Sequence, residues 1–207
     1  TEERLRNALA IADSMAPCNL VMDEVEKALS GSSPGAGGNS PMSGVLGTLL
    51  SYLSDRRTDV FVICTSNDVT TLPPEFSRAE RFDAMFFVDL PDETDREQIW
   101  SIWLGRYGIE LDKSTRARLI DKSENWTGAE IKSACRLAKL RNRTLDHIMP
   151  EIVPIFRTAG ELLQKTREWA SNRCLSATKP GHYVIPRSVG PLPPLSKPRK
   201  VLTHGRD

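Results

Sequence analysis

Asn19-Leu20-Val21-Met22-Asp23-Glu24 is the stretch on which the reading of this chain turns. Four residues with no charge among them lead straight into two adjacent carboxylates, the pattern of a parallel strand buried on both faces whose C-terminal end carries acids. A short helix over Val25 to Leu29 follows. Upstream, Thr1 to Met15 places Leu5, Ala8, Leu9, Ala12 and Met15 at steps of three and four, which predicts an amphipathic helix stopped by Pro17. Downstream, Gly44 to Leu53 is a second helix, and Asp59 to Thr65 (DVFVICT) is a second continuous apolar strand ending in Ser66-Asn67-Asp68. Two buried strands joined through a helix imply a right-handed crossover and a parallel sheet. Between them Ser30 to Ser43 (SGSSPGAGGNSPMS) has no periodicity and reads as a surface loop.

Beyond the second strand, Leu72 to Ser77 reads as a short helix and Ala84 to Val88 as a third strand. From Asp92 the pattern is helical: Glu93 to Tyr107, Ser114 to Ser123 and Gly128 to about His147, with Thr94, Ser114 and Thr127 as candidate caps. Thr158 to Asn172 is a further amphipathic helix. Ser176 to Asp207 holds six prolines and six Lys or Arg against one acid, so an extended or disordered tail is expected. The organisation is therefore an α/β part over 1–90, a helical satellite over 91–149, a helix over 150–175 and a flexible Pro-rich basic tail over 176–207.

Composition narrows the function classes. The 207 residues are 39% hydrophobic and 27% charged, enough apolar material for a core and far from a disordered or membrane composition. No apolar run approaches the roughly 18 residues that a spanning helix requires. Lys plus Arg at 28 against Asp plus Glu at 27 leaves +1, so no global field draws the chain to nucleic acid or lipid. The four cysteines form no CxxC pair, which argues against a zinc site or disulfide framework and for a reducing compartment, taken as the cytoplasm. Thr1 opens on a charged helical segment without signal-peptide character, as if within a longer protein.

Three groups carry candidate chemistry. Successive strand residues point to opposite sides, so Asp23 and Glu24 are expected to divide two tasks: one carboxylate on the metal side, the other on an attacking water. Asn67 stands at the tip of the second strand, where neighbouring parallel strands bring their C-terminal ends to one crevice, and an amide there can hold water or touch a phosphate. An Asx turn leaving the strand would look the same. Ser77-Arg78-Ala79-Glu80-Arg81-Phe82-Asp83 sets two guanidinium groups three apart, suited to charge building on phosphoryl oxygens, although a solvated Arg pair has the same sequence appearance.

Taken together these segments resemble the AAA+ ATPases, and more closely their AAA branch, a parallel-sheet P-loop NTPase core with a small helical lid. Asn19 to Glu24 resembles the Walker B strand, Thr65-Ser66-Asn67 sensor 1, and Leu72 to Asp83 (LPPEFSRAERFD) the segment bearing arginine fingers. Asn125-Trp126-Thr127-Gly128-Ala129-Glu130-Ile131 is similar to the start of the lid helix with the Gly-Ala form of sensor 2. The resemblance implies Asp23 for Mg2+ with ATP, directly or through water, Glu24 for water activation, and Asn67 for water and γ-phosphate sensing. It implies Arg78 and Arg81 as fingers acting on a neighbouring subunit, hence a homo-oligomeric ring, usually a hexamer, and Gly128 and Ala129 as backbone neighbours of the nucleotide. The loop from Ser30 to Ser43 takes the place of the second pore loop. An ATP-driven machine that remodels or translocates a macromolecule is implied, with protein a better substrate than nucleic acid and no membrane involved. The alternatives are a catalytically silent interaction module and a DNA-associated AAA+ ATPase.

Within the branch, Val153 to Cys174 and Phe86 to Pro91 look similar to AAA ATPases encoded by cyanobacteria and chloroplast genomes. The sequence also departs from the family. No GxxxxGK[ST] occurs in the 207 residues, so the resemblance implies a core N-terminally incomplete, lacking Walker A and the aromatic pore loop. Many relatives have Arg where Ser43 and Gly44 stand. His147, His182 and His204 lack ligand spacing, and Trp100, Trp103, Trp126 and Trp169 are expected to pack in core or interface.

Overall fold

The computed structural model describes residues 2–29, 41–55, 58–77 and 81–186, and divides the chain into two compact units. The first comprises residues 1–88 and 165–184; the second is built on 89–164. Each is described by itself.

In the first unit, α1 (Glu2–Ser14) precedes β1 (Cys18–Met22), and only Asp23 and Glu24 separate the strand from α2 (Val25–Leu29). The next helix, α3 (Pro41–Asp55), begins three residues earlier than its apolar periodicity suggested, and β2 (Val60–Cys64) follows. The two strands are parallel neighbours in the register Cys18↔Val60 to Met22↔Cys64. Their shared inward face meets a core of Val25, Leu29, Val45, Leu49, Leu53 and Phe76. α1 lies along α3, and the close approach is set at Gly44, where a Cβ would run into the Glu2 carboxylate. Leu72 to Ser77 contains the short 3-10 turn Pro74–Ser77.

The third predicted strand shrinks to β3 (Phe86–Phe87). Its parallel partner is β4 (Leu175–Ser176), with Phe86 opposite Leu175 and Phe87 opposite Ser176. Leu175 also bridges His182, so the chain folds back, and Tyr183 is buried with its ring 4.5 Å from that of Phe87. This corrects the expectation of a flexible tail from Ser176. Apolar burial of one aromatic ring and the backbone bonds Tyr183 N to Cys174 O and Asn172 N to Tyr183 O order the chain as far as Val184. Residues 187–207, the remainder of that tail, lie outside the described residues.

The second unit is helical: α4 (Glu93–Tyr107), α5 (Lys113–Lys122), α6 (Gly128–Arg141), the single turns α7 (Leu145–Ile148) and α8 (Ile155–Thr158), and the start of α9 (Gly160–Ala170), whose last residues belong to the first unit. Its core centres on the fully buried Trp100, Ile131, Ala134, Cys135 and Ile148. Two caps sit two residues upstream of those expected. Asp92 caps α4 in a reciprocal box with Asp95, and Asp112 caps α5, whereas Thr127 caps α6 as read. The long helix expected from Gly128 to His147 ends at Asn142, which takes the left-handed conformation (φ 50°). Of the tryptophans, Trp100 and Trp126 are core residues. Among the described residues no helix is long and apolar enough to cross a membrane.

Candidate functional site

The C-terminal ends of β1 and β2 carry the candidate residues because parallel pairing keeps both ends on one side of the sheet. Met22 stands opposite Cys64, so Asp23 and Thr65 leave the sheet side by side, and the Thr65 hydroxyl donates to Asp23 Oδ1. The ladder continues one step past the strands: Thr65 N donates to Met22 O at 2.9 Å and Val25 N to Thr65 O at 3.0 Å. Between them the chain must turn sharply from strand to helix. Glu24 does so with φ 52°, in the left-handed region that costs a non-glycine residue about 1–2 kcal/mol. Its N–H is recovered by Thr65 Oγ1 at 3.1 Å. The two adjacent acids have different hydrogen-bond partners: Thr65 for Asp23, and Asn67 with Lys27 for Glu24.

Those neighbours define the chemistry. Asn67 Nδ2 donates to Glu24 Oε1 at 2.9 Å, and Lys27 Nζ donates to Glu24 Oε2 at 2.6 Å. The hydrogen bond to Glu24 is the chief cause raising the Lys27 pKa above its ordinary value; partial desolvation opposes it, and the fields of Glu24, Glu26 and Asp23 add to it. One carboxylate oxygen of Glu24 is thus held by a neutral amide, the other by an exposed cation on a flexible stem. An exposed ion pair of this kind is worth little and exchanges readily with water. The Asn67 amide fixes the carboxylate's orientation, while Lys27 can leave. Glu26, the next acid on α2, is buried, and its Oε2 has no hydrogen-bond partner among the described residues.

The structure therefore brings together Asp23, Glu24 and Asn67 and adds two residues that the sequence reading missed. The part of Thr65 follows from register, since it is the residue opposite Asp23, and neither strand's sequence alone carries that register. Lys27 could have been found from its i+3 spacing to Glu24 on a helix start. Arg78 lies outside the described residues, as do residues 30–40 of the loop assigned to the second pore loop. Arg81 is half-buried, and its Nη1 is covered without a hydrogen-bond partner among the described residues. No ion pair joins Arg81 to either carboxylate among those residues. Gly128 and Ala129 open α6 in the helical unit, behind the Thr127 cap. A Cβ on Gly128 would meet only Ile99, at 3.8 Å, so nothing within that unit demands glycine there.

Parallel strands that end in an acid pair and an amide, with helices packed on the sheet, are the arrangement of an α/β P-loop NTPase. Comparison with known proteins gives the class: residues 1–90 match the model of the ATPase family associated with various cellular activities, and the chain resembles AAA ATPases. It resembles the uncharacterized AAA domain-containing protein ycf46 of Guillardia theta, with 32% identity over 181 residues, covering 83% of this chain and 36% of that relative. The chain thus spans about a third of the length of that protein. Among solved structures, the crystal structure of the FIGL-1 AAA domain matches with a TM-score of 0.66 at 16% identity, over 84% of this chain and 63% of the other. The same domain in complex with ADP matches at 0.60 and 19% identity over the same shares. At these identities the structural likeness establishes the fold.

Proposed function

We propose that this chain is part of a Mg2+-dependent ATPase that hydrolyses ATP between adjacent subunits of a homo-oligomeric ring, usually hexameric in this family, to remodel or translocate a protein substrate in the cytoplasm. In this reading residues 1–90 belong to the large α/β subdomain and residues 91–149 form the helical lid. The observation that carries the proposal is the 2.9 Å bond from Asn67 Nδ2 to Glu24 Oε1 at the mouth of the parallel strand pair. A carboxylate oriented by an amide is what water activation requires.

The donor set fits Mg2+. Asp23 supplies a hard carboxylate with one oxygen taken by the Thr65 hydroxyl. No group of three or more His, Cys, Asp or Glu among the described residues could hold a cation alone. A cation here would thus be shared with phosphate oxygens, as Mg2+ is in nucleotide sites, where it neutralises charge building on the phosphates. Glu24 Oε2 accepts the proton of the attacking water once Lys27 has moved aside; Asn67 keeps Oε1 in place. Gly128 and Ala129 offer backbone to the nucleotide, a use supported by the lack of any packing reason for glycine at 128. ADP bound to the FIGL-1 AAA domain supports the nucleotide.

The test uses the full-length protein that includes this chain. Glu24→Gln is expected to keep ATP binding and lose turnover by about 10²-fold or more, the usual worth of a positioned general base. Arg78→Ala and Arg81→Ala should each abolish turnover, yet mixing either with Glu24→Gln subunits should restore part of it, because fingers act on the neighbour's nucleotide. Unchanged turnover in Glu24→Gln rejects the assignment, and no recovery in the mixture rejects the ring. A full-length protein that neither binds nor hydrolyses ATP is the silent module.

A further inference from the structure

The helical unit gathers its positive charge on one side of α6. From Ile131 to Arg143 the chain has five basic residues and no acid. Three of them, Lys132, Arg136 and Lys139, follow at steps of four and three. At 3.6 residues per turn they lie within roughly 60° of arc, along about 10 Å of helix. All three are exposed, on a flank of the helix beside the buried stripe Ile131, Ala134, Cys135 and Ala138. Arg106 of α4 joins them through an indole: the Lys132 ammonium stands 5.0 Å and the Arg106 guanidinium 5.3 Å from the centre of the Trp103 ring. Two cations are thus collected about one ring.

Among the described residues no carboxylate pairs with them. In the same unit Arg118 and Lys122 pair with Asp146, and Arg141 with Glu151, while exposed Lys113, Arg143 and Arg157 stand singly rather than as a cluster. None of Arg106, Lys132, Arg136 and Lys139 forms an ion pair among the described residues. Like charges held together without a counter-charge weaken the helix that carries them, by a few tenths of a kcal/mol per pair in isolated helices. An anionic partner relieves that repulsion.

We propose that this face of α4 and α6 is a docking surface for an acidic peptide segment of another protein that also carries a bulky apolar side chain. Charge complementarity selects an anionic partner, and two features select peptide over nucleic acid. Leu140, four residues after Arg136 and so next to it on the helix, is 72% exposed, an apolar contact that a peptide side chain can use. The Trp103 ring is already engaged by two cations, so it offers no open platform for base stacking, the main sequence-tolerant attraction for single strands. The surface is independent of the nucleotide chemistry proposed above and tested separately from it.

The experiment measures fluorescence anisotropy of a labelled twelve-residue peptide of alternating Glu and Leu, titrated with the 207-residue chain at 50 and 200 mM NaCl. Binding is expected at the lower salt and should weaken at the higher, as exposed charge pairs do. The triple variant Lys132→Gln, Arg136→Gln, Lys139→Gln should bind about tenfold more weakly, three exposed pairs each contributing a modest share. Leu140→Ser should lose about threefold through its apolar contact. A peptide with Gln in place of Glu should not bind, and circular dichroism should show the variants folded. The proposal is overturned by no peptide binding at 50 mM salt, by equal binding by the triple variant, or by tighter binding of a twenty-residue oligothymidine that is indifferent to Leu140→Ser. Self-association of the chain that the triple variant loses would also overturn it, by making a second copy the occupant.

Discussion

Replacing Ser123 with alanine removes one oxygen from the most tightly closed part of the helical unit. Trp100 and Ser123 are both fully buried; the indole Nε1–H donates to Ser123 Oγ at 2.9 Å, and that hydroxyl donates to Ile120 O at 3.0 Å. In Ser123→Ala the Ile120 carbonyl keeps a donor, because Arg96 Nε reaches it at 3.2 Å. The indole N–H loses its partner in a place no water reaches. Leaving a buried donor unsatisfied costs about 1–3 kcal/mol, so a loss of about 2 kcal/mol is expected, with little added for the space of one oxygen atom. For a unit of this size that corresponds to a fall in Tm of roughly 8–16 °C. Urea unfolding followed by tryptophan fluorescence is the assay, since Trp100, Trp103 and Trp126 all belong to this unit. The midpoint should drop at constant m. Introduced after Trp100→Phe, which has no N–H to strand, the same Ser123→Ala change should cost at least 1 kcal/mol less. A loss below about 0.5 kcal/mol in the native background, or equal losses in both, would refute the reasoning, because typical surface changes are that small.

Much of this architecture was legible because parallel strands covered on both faces appear as unbroken apolar runs. NLVM and DVFVICT located β1 and β2 to within a residue or two, and the logic of strand ends put Asp23, Glu24 and Asn67 in one place. What escaped was set by longer-range or subtler physics. β3 and β4 pair across nearly ninety positions, and two-residue strands leave no periodicity to find. Tyr183 looked like the lone aromatic of a proline-rich tail; its burial against Phe87 depends on a fold-back that composition conceals. Asp92 and Asp112 outcompeted the nearby hydroxyls as caps because their carboxylates reach the N–H groups of Asp95 and Thr115. Asn142 ended a helix whose apolar pattern ran on, by adopting a conformation that asparagine tolerates better than most residues. At the site, the role of Thr65 is a matter of register, and register cannot be read from two strands separately.

Three further outcomes follow from burial and charge. Tyr183→Ala should destabilise the first unit by about 3–4 kcal/mol through loss of a buried ring against Phe87, seen as an earlier urea transition in near-ultraviolet circular dichroism; a change under 1 kcal/mol would mean that the fold-back contributes no packing. Of the four thiols, the half-buried Cys18 and Cys64 should react with an aromatic disulfide reagent at pH 8, while Cys135 and Cys174 wait for unfolding. Burial pushes the Cys135 thiol up to about 12 and raises that of Cys174 against the opposing field of Arg173, so rapid modification of either would contradict the packing. The last outcome concerns acid. Asp146 accepts from Lys122 and Arg118, and the Lys122 hydrogen bond chiefly, with those of Arg118 and both positive fields, lowers its carboxyl below the ordinary 3.8, desolvation opposing. A carboxylate whose folded pKa is depressed stabilises the native state fully above the unfolded value and loses that contribution as pH falls through the folded one. Asp146→Asn lacks the titrating group. Its deficit against the parent chain should therefore be constant near neutrality, shrink once the pH passes below about 4, and vanish when both forms are neutral. Urea midpoints of both proteins from pH 7 to 2 measure it; a deficit that stays constant over the whole range would place the stabilisation in the packing of the side chain rather than in its charge.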